Sequence, residues 1–169
     1  MENLWNKEFK PALINTPKEI IEAQCDYLKQ KTDGNILAKV SDYIGPISSY
    51  TKVNIFQVLG NNFSNREVDI QEDLGDIGES TFTYDFYITS PFTPNYKYRV
   101  MFLQHLITIF PTLIVLDEAI AEELSGNQDV ICNSQEDFEN KLKHILNSKK
   151  LESIINALLA ISQKEKTAF

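Results

Sequence analysis

Six acidic residues lie between Glu67 and Glu79, where Asp69, Gln71 and Asp73 alternate as at the start of a calcium-binding EF-hand loop. Such a loop also needs a glycine at its sixth position for the sharp turn and a bidentate glutamate at its twelfth. Leu74 and Ser80 stand in those places. The segment therefore reads as a solvated acidic loop. Transition metals have less to hold them. The two histidines, His105 and His144, lie far from any HExxH spacing. His105 falls in the most apolar stretch and is expected to be a hydrogen-bonded core histidine, and His144, beside Lys143 on an amphipathic segment, to be exposed.

Nucleophilic and phosphate chemistry also lack their usual supports. Cys25 and Cys132 are too few and too far apart for a disulfide framework or a zinc site. Neither has a cationic neighbour in sequence that would favour its thiolate. The chain contains no GxSxG elbow, no GxxxxGK loop and no GxGxxG turn. The sequence thus nominates no catalytic residue, no cofactor-binding residue and no metal ligand, and no cofactor is expected. Paired carboxylates remain at Asp117-Glu118 and Glu122-Glu123, with Glu118 and Glu122 sharing a face if that stretch is helical.

What survives points to binding. Glu67, Asp69, Glu72, Asp73, Asp76 and Glu79, opposed only by Arg66, form with Asp117 and Glu118 the candidate partner-binding residues, a negative surface able to steer a basic protein. Tyr84, Tyr87, Phe92, Tyr96 and Tyr98 offer aromatic anchors, although cross-strand pairing within a sheet accounts for them more simply. The whole chain carries 24 acidic and 16 basic residues, a net charge of −8. That field repels nucleic-acid backbones and anionic membranes. Lys141, Lys143, Lys149 and Lys150 make the C-terminal third locally basic. That asymmetry serves either self-association or nothing.

The elements that must position these groups follow from period and punctuation. Thr16, Pro17 and Glu19 begin a helix with a capping box, and Asp33-Gly34-Asn35 ends it after Lys31. Ile36 to Tyr43 and Thr51 to Leu59 read as strands, with a short edge strand at Val68 to Ile70. Phe82, Tyr84, Phe86 and Ile88 alternate with Thr83, Asp85, Tyr87 and Thr89, the clearest strand pattern in the chain. Ser90 to Asn95 turns the chain into a strand over Tyr96 to His105, and Thr112 to Leu116 returns after Pro111. A helix over Val100 to Phe110 competes for part of that run, but the Tyr-Lys-Tyr-Arg-Val opening favours strand.

Asn133 or Ser134 caps a helix marked by Phe138, Leu142 and Ile145. Asn147-Ser148 breaks it, and Leu151, Ile154, Ile155, Leu158 and Leu159 mark a second. The expected fold is α+β, with an N-terminal helix, an antiparallel meander of four to six strands, and two C-terminal helices packed on one face. A single domain is expected over residues 1–162, with a flexible tail over 163–169. Glu2, Trp5 and Glu8 break any secretory run at the N-terminus, and Gln104, His105 and Pro111 interrupt the apolar stretch from Val100 to Leu116. A cytoplasmic protein without membrane or nucleic-acid partners is therefore expected. The first functional expectation is a non-enzymatic protein-binding module, such as an immunity or accessory protein for a basic partner. The second is a small-molecule-binding domain or enzyme with a pocket between sheet and helices. The third is a structural subunit of a homo-oligomer.

Overall fold

The computed structural model describes residues 14–47, 50, 55 and 81–167. Its first element, α1 (Pro17–Lys31), starts as the sequence dictates. The Thr16 hydroxyl accepts from the Glu19 amide at 3.3 Å, and the Glu19 carboxylate accepts from the Thr16 amide at 2.7 Å. This reciprocal pair satisfies two of the orphan donors at a helix start. At the other end Asp33 and Gly34 take left-handed backbone (φ 49° and 74°), and the Gly34 amide donates to the Lys29 carbonyl at 2.8 Å. Glycine tolerates that conformation without steric cost.

The chain then enters a five-stranded antiparallel sheet of β1 (Leu37–Asp42), β2 (Phe82–Ser90), β3 (Thr93–His105), β4 (Thr112–Leu116) and β5 (Asp129–Cys132), ordered β1-β2-β3-β4-β5. Register is set by partners such as Val40 with Phe86, Tyr84 with Leu103, Leu103 with Ile114, and Leu113 with Ile131. The α+β meander expected from the alternation is the observed architecture. The β2–β3 turn is tighter than expected, because Thr93 already pairs with Ser90. The competing helix over Val100 to Phe110 does not form, since β3 runs through His105. β5 was not foreseen. It follows α2 (Glu118–Leu124) and adds a second edge to the sheet.

A register shift between Phe86 and Tyr87 leaves Val100 as an extra residue on β3. Such a bulge rotates the strand locally. As a result Val100 and Met101, neighbours in sequence, both enter the helix-side core, while Arg99 and Phe102 face the other way.

Two further helices close the helix side, α3 (Gln135–Leu146) and α4 (Lys149–Thr167). Ser134, not Asn133, caps α3 by accepting from the Asp137 amide. Phe138, Leu142 and Ile145 are almost wholly buried, one turn apart. Burying each contributes roughly 1.5–3 kcal/mol. The helix α4 runs to Thr167, so the expected tail from Gln163 is helical up to that residue.

One cluster, including Ile21, Phe86, Ile88, Leu103, Ile114, Ile120, Phe138 and Leu158, fills the space between sheet and helices. The opposite sheet face carries a smaller cluster of Ile47, Ile55, Phe102, Leu106, Leu113 and Val115. Of the strand expected over Thr51 to Leu59 only Ile55 is described, buried and with helical rather than extended backbone. The rest of that segment, and the expected edge strand at Val68 to Ile70, lie outside the described residues. No helix among the described residues is long and apolar enough to cross a membrane.

Candidate functional site

The helix side of the sheet is not fully closed. Helix α1 folds back along β1: Lys18 near its start pairs with Asp42 at the end of β1 (3.1 Å), and the Thr32 hydroxyl bonds the Ile36 backbone at its other end. Helix α3 folds back along β5 in the same way, with the Lys141 ammonium donating to the Ile131 carbonyl at 2.6 Å. In an alternating antiparallel sheet β1 and β5 point the same way, so α1 and α3 run parallel with their C-terminal ends together.

Between them lies a cleft of about 670 Å³. That is the size of a pocket for a small organic ligand, roughly 300–1,000 Å³. Its floor is apolar, made by Ala38, Phe86 and Ile88 of the sheet with Leu142, Leu151 and Ile155 of the C-terminal helices. Its rim is polar. The exposed faces of Ala23, Gln24 and Tyr27 form one wall, and Tyr27 is 56% exposed although it borders the apolar stripe of α1.

Charge around the rim is unequally committed. The Glu19 carboxylate is held by the Thr16 amide and hydroxyl, which lower its pKa. Glu139 accepts from the Gln135 side-chain amide at 2.8 Å, one turn toward the start of α3. Lys31 and Lys143 occupy the last turns of α1 and α3. Among the described residues neither ammonium makes an ion pair or a hydrogen bond.

The nominated acidic residues divide. Glu67, Asp69, Glu72, Asp73, Asp76 and Glu79 lie outside the described residues. Asp117 is half-buried and used internally: its carboxylate accepts from the Ala119 and Ile120 amides at 3.1 and 3.4 Å, capping α2, and from the Tyr98 hydroxyl at 2.6 Å. Burial, then this bond to the carboxylate, pushes the Tyr98 phenol far up. Glu118 is exposed on α2. Glu123, of the Glu122-Glu123 pair, accepts from the Lys149 and Lys150 amides at 2.7 and 3.0 Å and holds the start of α4, which lowers its pKa. One member of each acidic pair around α2, Asp117 and Glu123, thus serves as a helix cap.

Across the sheet a second cluster was not anticipated. Asp85, almost wholly buried, receives Arg99 at 2.9 Å and Lys97 at 3.1 Å. Arg99 also lies over the Phe102 ring (4.3 Å), and Lys97 over Tyr87 (3.6 Å). These cations neutralise a buried carboxylate, so the cluster has a structural cause. The expected aromatic anchors are dispersed: Tyr84 is buried on the helix side, Tyr98 is tied to Asp117, and Tyr96 is exposed.

His105 is buried as expected, its Nδ1 bonded to the Leu106 carbonyl at 2.8 Å and its ring stacked on Phe82. His144 is exposed. Among the described residues no three His, Cys, Asp or Glu side chains converge to hold a metal ion.

A pocket between sheet and helices was expected only as an alternative, without residues, because nothing local places Lys143 or Phe86 opposite Gln24 and Tyr27. Comparison with protein-family models, with curated proteins and with solved structures finds no match to this chain.

Proposed function

We propose that this chain is a non-enzymatic, cytoplasmic binding protein that takes a small amphipathic molecule in the cleft between α1, the sheet and the C-terminal helices. The observation that carries this reading is an apolar floor with a polar rim, at a volume suited to such a ligand. Among the described residues the lining includes no histidine, cysteine or serine. Its polar side chains, among them Tyr27, Lys31 and Glu139, supply contacts and orientation.

The test is a ligand screen by thermal shift and ligand-observed NMR on the wild type and on Ala23→Trp. Ala23 is exposed on the cleft wall, so the indole obstructs the opening without entering the core. Ligands that raise the wild-type melting midpoint but not that of Ala23→Trp support the reading. Ligands bound equally by both proteins, or none from a broad metabolite set, refute it.

A second reading, a protein-binding module for a basic partner, is favoured by the net charge of −8 and by the acidic run from Glu67 to Glu79. Neutralising that run with Asn and Gln and measuring recovery of a partner from the native host tests it. Unchanged recovery counts against it.

A further inference from the structure

We infer that the ligand of the cleft is an amphipathic anion, with a carboxylate or comparable head group at the C-terminal end of α1 and α3 and an apolar body along the floor. This rests on the reading of the cleft as a ligand site and adds the ligand's charge and orientation. Lys31 and Lys143 line the same cleft from opposite walls. Because α1 and α3 run parallel, both lysines fall at one end, together with Asn147.

Among the described residues neither acid on the rim makes an ion pair with them. Glu19 sits in the first turn of α1, a helix length from Lys31, and its carboxylate is occupied by Thr16. Glu139 is one turn from Lys143 and accepts from Gln135. In a chain of net charge −8, two ammonium groups that have no partner among the described residues, beside an apolar floor, form a local exception to the overall field. Charge-assisted hydrogen bonds from ammonium to carboxylate are among the stronger polar contacts. The apolar side chains supply the burial that makes one end of the ligand carbon-rich.

Binding of decanoate, decyltrimethylammonium and decanol, each below its micelle concentration, tests the inference by calorimetry and by amide chemical-shift mapping. The expected result is saturable decanoate binding, with shifts centred on Lys31, Leu142 and Lys143, and little binding of the cationic amphiphile. Lys31→Gln/Lys143→Gln is expected to weaken decanoate roughly tenfold or more, a factor typical of losing charge-assisted contacts. These substitutions alter exposed ends of side chains, and a circular-dichroism melt confirms that the fold is kept.

Equal binding of all three amphiphiles, or decanoate binding that the double variant leaves unchanged, overturns the anion assignment and leaves the cleft as a ligand site. Tight binding of the cationic probe alone reverses the assignment. Binding of none of them, together with an empty metabolite screen, overturns both the assignment and the ligand-site reading.

Discussion

Asp117 was nominated from sequence as a surface acid for partner binding, and its surroundings give it a different and measurable role. The substitution to consider is Asp117→Ala. It removes the acceptor for the Ala119 and Ile120 amides at the start of α2, and loss of such a cap costs about 1 kcal/mol. It also removes the charged acceptor of the Tyr98 hydroxyl, a 2.6 Å bond, and hydrogen bonds to charged groups contribute about 2 kcal/mol. The helix α2 is only seven residues long and delivers Ile120 and Ala121 to the core, so it cannot fray without exposing them. The sum is roughly 3 kcal/mol, a large share of the ~5–15 kcal/mol that holds an ordinary domain together. In a thermal melt this is a fall of roughly 9 °C, at about 3 °C per kcal/mol for a chain of this size.

Urea unfolding followed by circular dichroism gives the free energy directly. Asp117→Asn keeps the cap and loses the charge, so it should fall between wild type and Ala. Tyr98→Phe with the double variant completes a cycle whose coupling energy should be about 1–2 kcal/mol. If Asp117→Ala unfolds within ~0.5 kcal/mol of wild type, the range of ordinary surface changes, the structural assignment is wrong and a partner-binding role regains its case.

Three further expectations follow from the same packing. Burial lowers the pKa of His105, against the smaller effect of its bond to Leu106. The folded chain therefore takes this proton at a lower pH than the unfolded chain, whose histidine titrates near ~6.5, and stability falls as pH drops through that value. His105→Gln should flatten the loss between about pH 7 and pH 5.5, and an unaltered slope in urea titrations would refute the assignment. Asp85→Asn should destabilise by about 2 kcal/mol rather than the larger cost of a fully buried pair, because Lys97 and Arg99 retain 48% and 37% side-chain exposure. A variant as stable as wild type in chemical denaturation would show that the pair contributes nothing. Burial pushes the Cys25 thiol up to about 11 and the Cys132 thiol up to about 12. Both should therefore react with a thiol reagent near neutral pH far more slowly in the folded protein than in denaturant, and equal rates would contradict the burial.

What could be read in advance was what is encoded locally. The Thr16-to-Glu19 box and the Ser134 cap are complete within four residues, so both helix starts were visible. The alternation from Phe82 to Thr89 fixed both a strand and its buried face, because side chains on a strand alternate strictly. β5 was missed because Asp129–Cys132 is four residues long, too short for its period to stand out. The end of α4 was misjudged because Gln163 to Thr167 is polar; the buried Ser162 shows the helix still packed just before that stretch. The bulge at Val100 leaves no mark in composition, yet it decides that Arg99 meets Asp85 across the sheet. The internal use of Asp117 and Glu123 was hidden for a related reason. A carboxylate becomes a cap only when a helix start falls beside it, and for Glu123 that start belongs to a helix 26 residues further on.

The cleft itself is shaped by tertiary placement that no single element contains. The short connection from α1 to β1, and that from β5 to α3, tie these helices to opposite edges of the sheet. They still approach each other directly across it, and α4 packs on β2 and on α2 beside them. Glu123 fixes this placement by holding the first amides of α4. Removing that tie with Glu123→Gln therefore bears on the cleft as well as on helix stability. The cap should weaken by about 1 kcal/mol, and chemical shifts at Leu151 and Ile155, the two α4 residues on the cleft floor, should move with it. If those shifts stay fixed while the helix start loosens, α4 is positioned by its buried Leu151 and Leu158 alone, and the cleft owes its shape to core packing instead of to the carboxylate.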